Sequence, residues 1–239
     1  MNKRSFSTLF FTPFFIIVII TMSCKQSVTW EDAPVSVATM LMGNLELLVL
    51  SPEKAYSQNE KVEIIVLETP LQPVSELKHY WDGNSVYFGS EKDGAAFTEF
   101  GHRENKEMLY KGKPNKLNSF KRNGEKWVCV IDGILYEEVE GAATAIAECE
   151  FRTYKSENGE EKRAQMCRRL EKGETWHFAA ENGKVYRQNE NGSVTQIGWM
   201  DWRVVTLPSG EKIILLMTKR TGENALWMGK HKGKRYVGK

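Results

Sequence analysis

The chain has 239 residues, of which 41% are hydrophobic and 27% charged. Its 33 Lys and Arg against 31 Asp and Glu leave a formal charge of +2, which removes any electrostatic case for nucleic acid or for the steering of charged substrates. Its length suits one large all-β domain or two small ones, with ample core.

In chain order, the first 24 residues speak most clearly. Lys3 and Arg4 give a positive start, a mostly apolar run covers 9–20, and Thr21-Met22-Ser23-Cys24 follows. A charged head, a short apolar stretch and small residues before a cut make a secretory signal peptide. A membrane span needs about 20 apolar residues; this run is shorter, and Thr12 and Pro13 interrupt it. With Cys24 directly after the cut, the segment resembles the bacterial lipoprotein precursors. Ser23 fits their pattern, and Thr21 stands where they usually carry an aliphatic residue. The resemblance implies a signal peptide over 1–23, an acylated Cys24 as mature N-terminus, and a linker over 24–34. It also implies a membrane anchor on the non-cytoplasmic side. Lys25 is not the Asp that retains such proteins in the inner membrane, so the outer membrane or cell surface is the favoured site. One acyl chain, at about 0.8 kcal/mol per buried CH₂, holds a protein marginally, and two or more hold it stably. Loss of Lys3 and Arg4 with the signal leaves 31 basic residues against 31 acidic.

Residues 36–42 suit a short strand or one or two helical turns. Residues 44–50 read as an apolar strand, a polar loop follows, and 61–69 read as a second strand with a buried stretch, ended by Pro70 and Pro73. Strand, polar loop with Tyr56, then Glu60-Lys61-Val62-Glu63-Ile64 is similar to the opening of many bacterial surface immunoglobulin-like sandwiches. Further on, Asp82-Gly83, Asp132-Gly133 and Asn182-Gly183 are evenly spaced, each followed by an aromatic residue: Tyr87, Tyr136 and Tyr186. Each dipeptide predicts a type I′ hairpin turn. The spacing admits a small propeller or plain reuse of one turn. The fold expected is mainly β: a hairpin-rich antiparallel sandwich or barrel, with a sandwich-like domain over 35–115 and a hairpin-rich domain over 124–239. The polar run 111–123 is the candidate boundary, or else a loop within one domain.

Glu160 onward has helix propensity, but a β-hairpin about Asn158-Gly159 matches the apolar faces better. A two-residue turn there pairs Phe151 with Met166, Thr153 with Ala164 and Ala147 with Leu170. Cys149 then faces inward, and Cys167, opposite Glu150, faces outward as a free thiol beside Arg168 and Arg169. Cys129 with Cys149 is the candidate disulfide. The cysteines show no Cys-x-x-Cys or Cys/His zinc spacing.

No metal, cofactor or catalytic motif stands out. His79, His102, His177 and His231 lack metal-binding spacing, and no Gly-x-Ser-x-Gly elbow or phosphate loop occurs. Two features suit binding. One is the aromatic set Trp199, Trp202 and Trp227, with Trp176, Trp127 and Trp81 upstream, because Trp offers large contact area and a donor; spaced three apart on a strand, Trp199 and Trp202 face opposite sides, so one is expected to be exposed. The other is the basic tail with Lys232, Lys234 and Arg235, suited to anionic lipid, an acidic glycan or an envelope protein. The resulting expectation is a lipid-anchored envelope lipoprotein with a non-catalytic binding or structural role and no nucleic-acid partner. The alternatives are an envelope hydrolase with a site assembled by the fold, and an assembly factor or inhibitor acting through strand addition.

Overall fold

The computed structural model describes residues 62–171, 175–180 and 182–239. The lipidation site, the linker, residues 36–42 and the expected strand at 44–50 lie outside the described residues. Sixteen strands form one mixed sheet. In order they are β1 (Ile64–Val66), β2 (Gln72–Pro73), β3 (Lys78–Trp81), β4 (Ser85–Ser90), β5 (Ala95–Tyr110), β6 (Lys113–Arg122), β7 (Trp127–Ile131) and β8 (Ile134–Val139). Then come β9 (Ala142–Lys155), β10 (Glu161–Arg169), β11 (His177–Ala179), β12 (Lys184–Gln188), β13 (Val194–Thr206), β14 (Lys212–Arg220), β15 (Trp227–His231) and β16 (Lys234–Gly238). The expectation of a mainly β, hairpin-rich chain is met. From β3 to β16 every strand pairs antiparallel with the next, while β1 joins β16 in parallel and β2 pairs with the far end of β13. The polar run 111–123 is largely strand β6, hydrogen-bonded on both sides to β5 and β7.

Turn chemistry explains the meander. Lys111-Gly112, Asp132-Gly133, Glu140-Gly141 and Lys232-Gly233 each have positive φ at both positions, the signature of two-residue I′ turns. The three evenly spaced dipeptides do not behave alike. Only Asp132-Gly133 is a I′ turn. Gly83-Asn84 are the loop residues between Asp82 and Ser85, and Asn182-Gly183 falls in a three-residue loop closed by Ala180 and Lys184. Equal spacing thus reflects reuse of turn residues along a meander rather than propeller blades.

The hairpin about Asn158-Gly159 is formed, but in another register. Ser156 donates to Glu160 O (2.9 Å) and Gly159 to Ser156 O (2.8 Å), which makes a three-residue loop with Gly159 at φ 83. That is a type I turn followed by a bulge glycine, one residue longer than a I′ turn. One residue of slip moves every side chain to the other face. Gln165 therefore faces Phe151, Arg163 faces Thr153 and Arg169 faces Ala147, correcting the expected pairs. Cys167 faces Cys149 and is 1% exposed, so it is not an outward thiol.

The sheet curls. Leu109 and Ala142 meet in parallel, bringing β5 back against β9 in a partial ring. Val86, Phe120, Leu135, Ala147, Val185 and Leu216, from six different strands, share the concave core. Burial of such side chains contributes about 1.5–3 kcal/mol each. The other face carries two clusters: Met166, Trp176, Phe178 and Tyr186 on β10–β12, and Val205, Ile213, Leu215, Met217, Trp227 and Tyr236 on β13–β16. Leu71, with Ile65 and Leu67 beside it, lies over the second cluster. Strand β14 is thus covered on both faces, and its run Ile213-Ile214-Leu215-Leu216-Met217 is wholly buried.

Candidate functional site

The residues singled out in the sequence do not form one surface. Trp202 packs into the concave core, with ring centroids 4.4 Å from Phe88 and 5.8 Å from Phe100. Trp199 lies on the opposite face beside Trp227. The opposed faces follow from strand alternation, but neither residue is exposed; both are half-buried. Trp227 is 8% exposed, and the Arg203 guanidinium sits 4.0 Å from its ring centroid. Arg203 in turn pairs with Asp201 at 3.0 Å. Trp199, Trp202 and Trp227 are therefore packed against the core, Trp227 under the Arg203 cation.

The basic tail is a strand. Arg235 is 4% exposed, Tyr236 and Val237 are buried, and β16 lies between β15 and β1. Lys234 pairs with Glu63 at 2.8 Å and Lys230 with Glu125 at 3.7 Å. Of Lys230, Lys232, Lys234 and Arg235, Lys232 alone is exposed, in its turn. Cys129 and Cys149 cannot bond. Val128 points into the concave core, so Cys129 points to the opposite face from Cys149.

The upstream Trp81 stands apart from the other Trp, on a surface at the start of the meander. Every residue of β3 is exposed, and among the described strands β3 pairs only with β4. Tyr80 and Trp81 are 46% and 45% exposed. Tyr80 stacks on Tyr87 at 4.8 Å and leans on Phe97 at 5.5 Å. The Arg103 guanidinium lies 5.7 Å from the Trp81 ring centroid. Asp82 fixes the following turn: its carboxylate accepts bonds from the Ser85 amide and the Tyr87 hydroxyl, both at 2.9 Å. These bonds hold its carboxyl below the usual range, the Ser85 amide most of all. The Asp82 amide donates to Ser85 O, so strand alternation aims the main-chain groups of His79 and Trp81 away from β4. The legible signal was three consecutive ring residues, His79-Tyr80-Trp81, directly before a glycine turn.

A second feature is a small cleft of about 10 Å³, the room of one water. Phe88, Glu99, Phe100, Arg122, Lys230 and His231 line it. Arg122 is 3% exposed; its Nη2 donates to Lys230 O at 3.4 Å and its Nη1 has no protein partner. Burial lowers the Arg122 pKa, and the Glu125 charge opposes that. Burial, with the Lys232 and Arg122 charges, pushes His231 down to about 4, so its imidazole is neutral at pH 7. The cleft is too small for an organic substrate.

Near it, Ser85 Oγ donates to Glu99 Oε1 at 2.9 Å, and His102 Nδ1 lies 3.2 Å from the same oxygen. The carboxylate stands between the hydroxyl and the imidazole. A nucleophile is activated by a base in direct contact with it, with the acid behind that base. A Ser-His-Asp triad places the imidazole between hydroxyl and carboxylate, so this arrangement is not of that kind. Among the described residues no three His, Cys, Asp or Glu side chains converge on a point that could hold a metal ion.

No protein-family model, no curated protein and no solved structure matches the chain.

Proposed function

We propose that the protein is a lipid-anchored lipoprotein of the cell envelope, held to a membrane through acylated Cys24, with a non-catalytic binding or structural role. The observation that carries the reading is the N-terminal pattern of Lys3-Arg4, an apolar run over 9–20 and Cys24 behind Ser23. The exposed aromatic strip on β3 supports a binding role, because aromatic side chains on a sheet edge offer large contact area beside main-chain groups.

The test is the intact mass of the protein from the membrane fraction, beside a Cys24→Ala variant. A chain starting at Cys24 with two or three acyl groups, lost in the variant, is the expected result. An unacylated chain cut elsewhere sinks the anchor.

A second reading, favoured by the open edge of β3, is an assembly factor or inhibitor that takes an extended segment of another envelope protein as an added strand. A stoichiometric partner that co-purifies with the wild type and is lost on Trp81→Ala supports it. Retention of that partner by the variant removes β3 from the interface.

A further inference from the structure

Cys149 on β9 and Cys167 on β10 are register partners, 5% and 1% exposed, and both belong to the concave core. The Cys149 amide donates to Gly133 O at 2.7 Å, on the β8 side. Its main-chain groups therefore point away from β10, which makes Cys149 and Cys167 a non-hydrogen-bonded pair. Such pairs hold their Cα atoms about 4.5 Å apart with side chains close together. A disulfide spans Cα separations of about 4.4–6.8 Å. In this structure both are buried free thiols facing each other across the two strands. Cys129 is on the opposite face, opposite Tyr136 on β8's far side from β9, at a sheet spacing of about 9.6 Å from the β9 backbone. It is out of reach of both.

We infer that Cys149 and Cys167 form a cross-strand disulfide in the mature protein, with Cys129 kept as a thiol. The inference rests on the proposed location outside the cytoplasm, where disulfides form and persist. The reaction joins Sγ to Sγ and removes two protons and two electrons. A protein disulfide donor of the thiol-oxidase class takes the electrons. The thiolate of one cysteine attacks the donor's disulfide; the thiolate of the other then displaces the donor, which leaves as a dithiol. The neighbouring Cys149 side chain, together with burial, holds the Cys167 thiol well above its ordinary pKa. Folded Cys167 is thus a poor nucleophile, and the exchange belongs to the stage before β9 and β10 close onto the core.

The test uses the full chain from its native membrane fraction, denatured without reductant in iodoacetamide, digested and weighed. The expected result is a peptide pair joined through Cys149 and Cys167, lighter by two hydrogens than the separate peptides, with alkylation at Cys129. Alkylation at all three positions, or a bond to Cys129, overturns the inference. The same digest reads the N-terminus. Acylated Cys24 with three alkylated thiols overturns the disulfide and leaves the anchor standing; a joined pair on an unacylated chain does the reverse. In a second readout, dithiothreitol lowers the thermal midpoint of the wild type and leaves that of Cys149→Ala/Cys167→Ala unchanged. An equal response of the two proteins overturns a structural bridge.

Discussion

Strands β3 and β16 stand near the two ends of one meander, and both are built from basic and aromatic residues: Lys-His-Tyr-Trp in one, Lys-Arg-Tyr-Val-Gly in the other. In β3 all four residues are exposed; in β16 all but Lys234 are buried. Composition does not separate them. What separates them is cover. Strand β16 has β15 on one side, β1 on the other, and Leu67 and Leu71, which follow β1, close against Gly238 on one face. Strand β3 has one neighbour, and its rings lean on that neighbour's side chains rather than under a second layer. Basic and aromatic residues bury readily when their charged heads find carboxylates and their stems find rings, as Arg203 does at Asp201 and over Trp227.

The largest expected effect that sharpens this contrast is on folding stability. Trp227→Ala removes a buried ring under Arg203 and costs about 3–5 kcal/mol in urea unfolding. Trp81→Ala changes stability by no more than about 0.5 kcal/mol. Equal losses would break the comparison.

Next in size is the response to acid. His231 near the C-terminal strand and His177 on β11 both have folded pKa values lowered to about 4 from 6.5, chiefly by burial. Below pH 6.5 the unfolded chain takes up protons that the folded chain refuses. Stability is therefore full above pH 6.5 and falls as pH drops toward 4, by up to about 3 kcal/mol for each histidine. Urea midpoints at pH 7 and pH 4.5 measure this, and His231→Gln removes its own share of the slope.

A smaller effect concerns two turns. At Gly124 an added Cβ would meet Gly233 N at 2.0 Å and the Lys232 carbonyl carbon at 2.5 Å, because the β6–β7 turn abuts the β15–β16 turn. Both contacts are backbone, so Gly124→Ala costs about 2–3 kcal/mol in thermal or urea unfolding. Gly94, in the β4–β5 turn, has nothing within 4 Å. Its replacement by Ala costs only the left-handed strain, about 1 kcal/mol. The smallest change is in binding alone: on the proposed strand-addition reading, Trp81→Ala weakens capture of the partner about tenfold or more at unchanged stability, whereas Lys232→Ala leaves capture unchanged, as measured by pull-down and titration.

Much of the fold was legible. Asp132-Gly133 and the glycines at 112, 141 and 233 close hairpins because a two-residue loop between twisted strands needs positive φ. The β-hairpin between β9 and β10 was legible from matched apolar faces, but its register was not. Asn-Gly serves a two-residue turn or the end of a three-residue one, and Ser156 decides by donating to Glu160 O while its hydroxyl donates to the same oxygen at 2.8 Å. That single residue of loop length moved Cys167 from the surface to the side of Cys149. The candidate site was less legible. Three Trp near the C-terminus looked like a surface for binding, yet the segment that covers two of them precedes β3, far away along the chain.

By itself, the amino-acid sequence determined that the chain is a run of β-hairpins and where most of them turn. These depend on neighbours within a few residues: side-chain alternation and glycine φ. Only the tertiary structure decided that the hairpins form one curled sheet, that Cys149 meets Cys167, and that Tyr80 and Trp81 are exposed while Trp227 and Arg235 are not. Exposure is settled by what lies over a face. In this chain that cover comes from strands distant in sequence, whose docking no local pattern encodes.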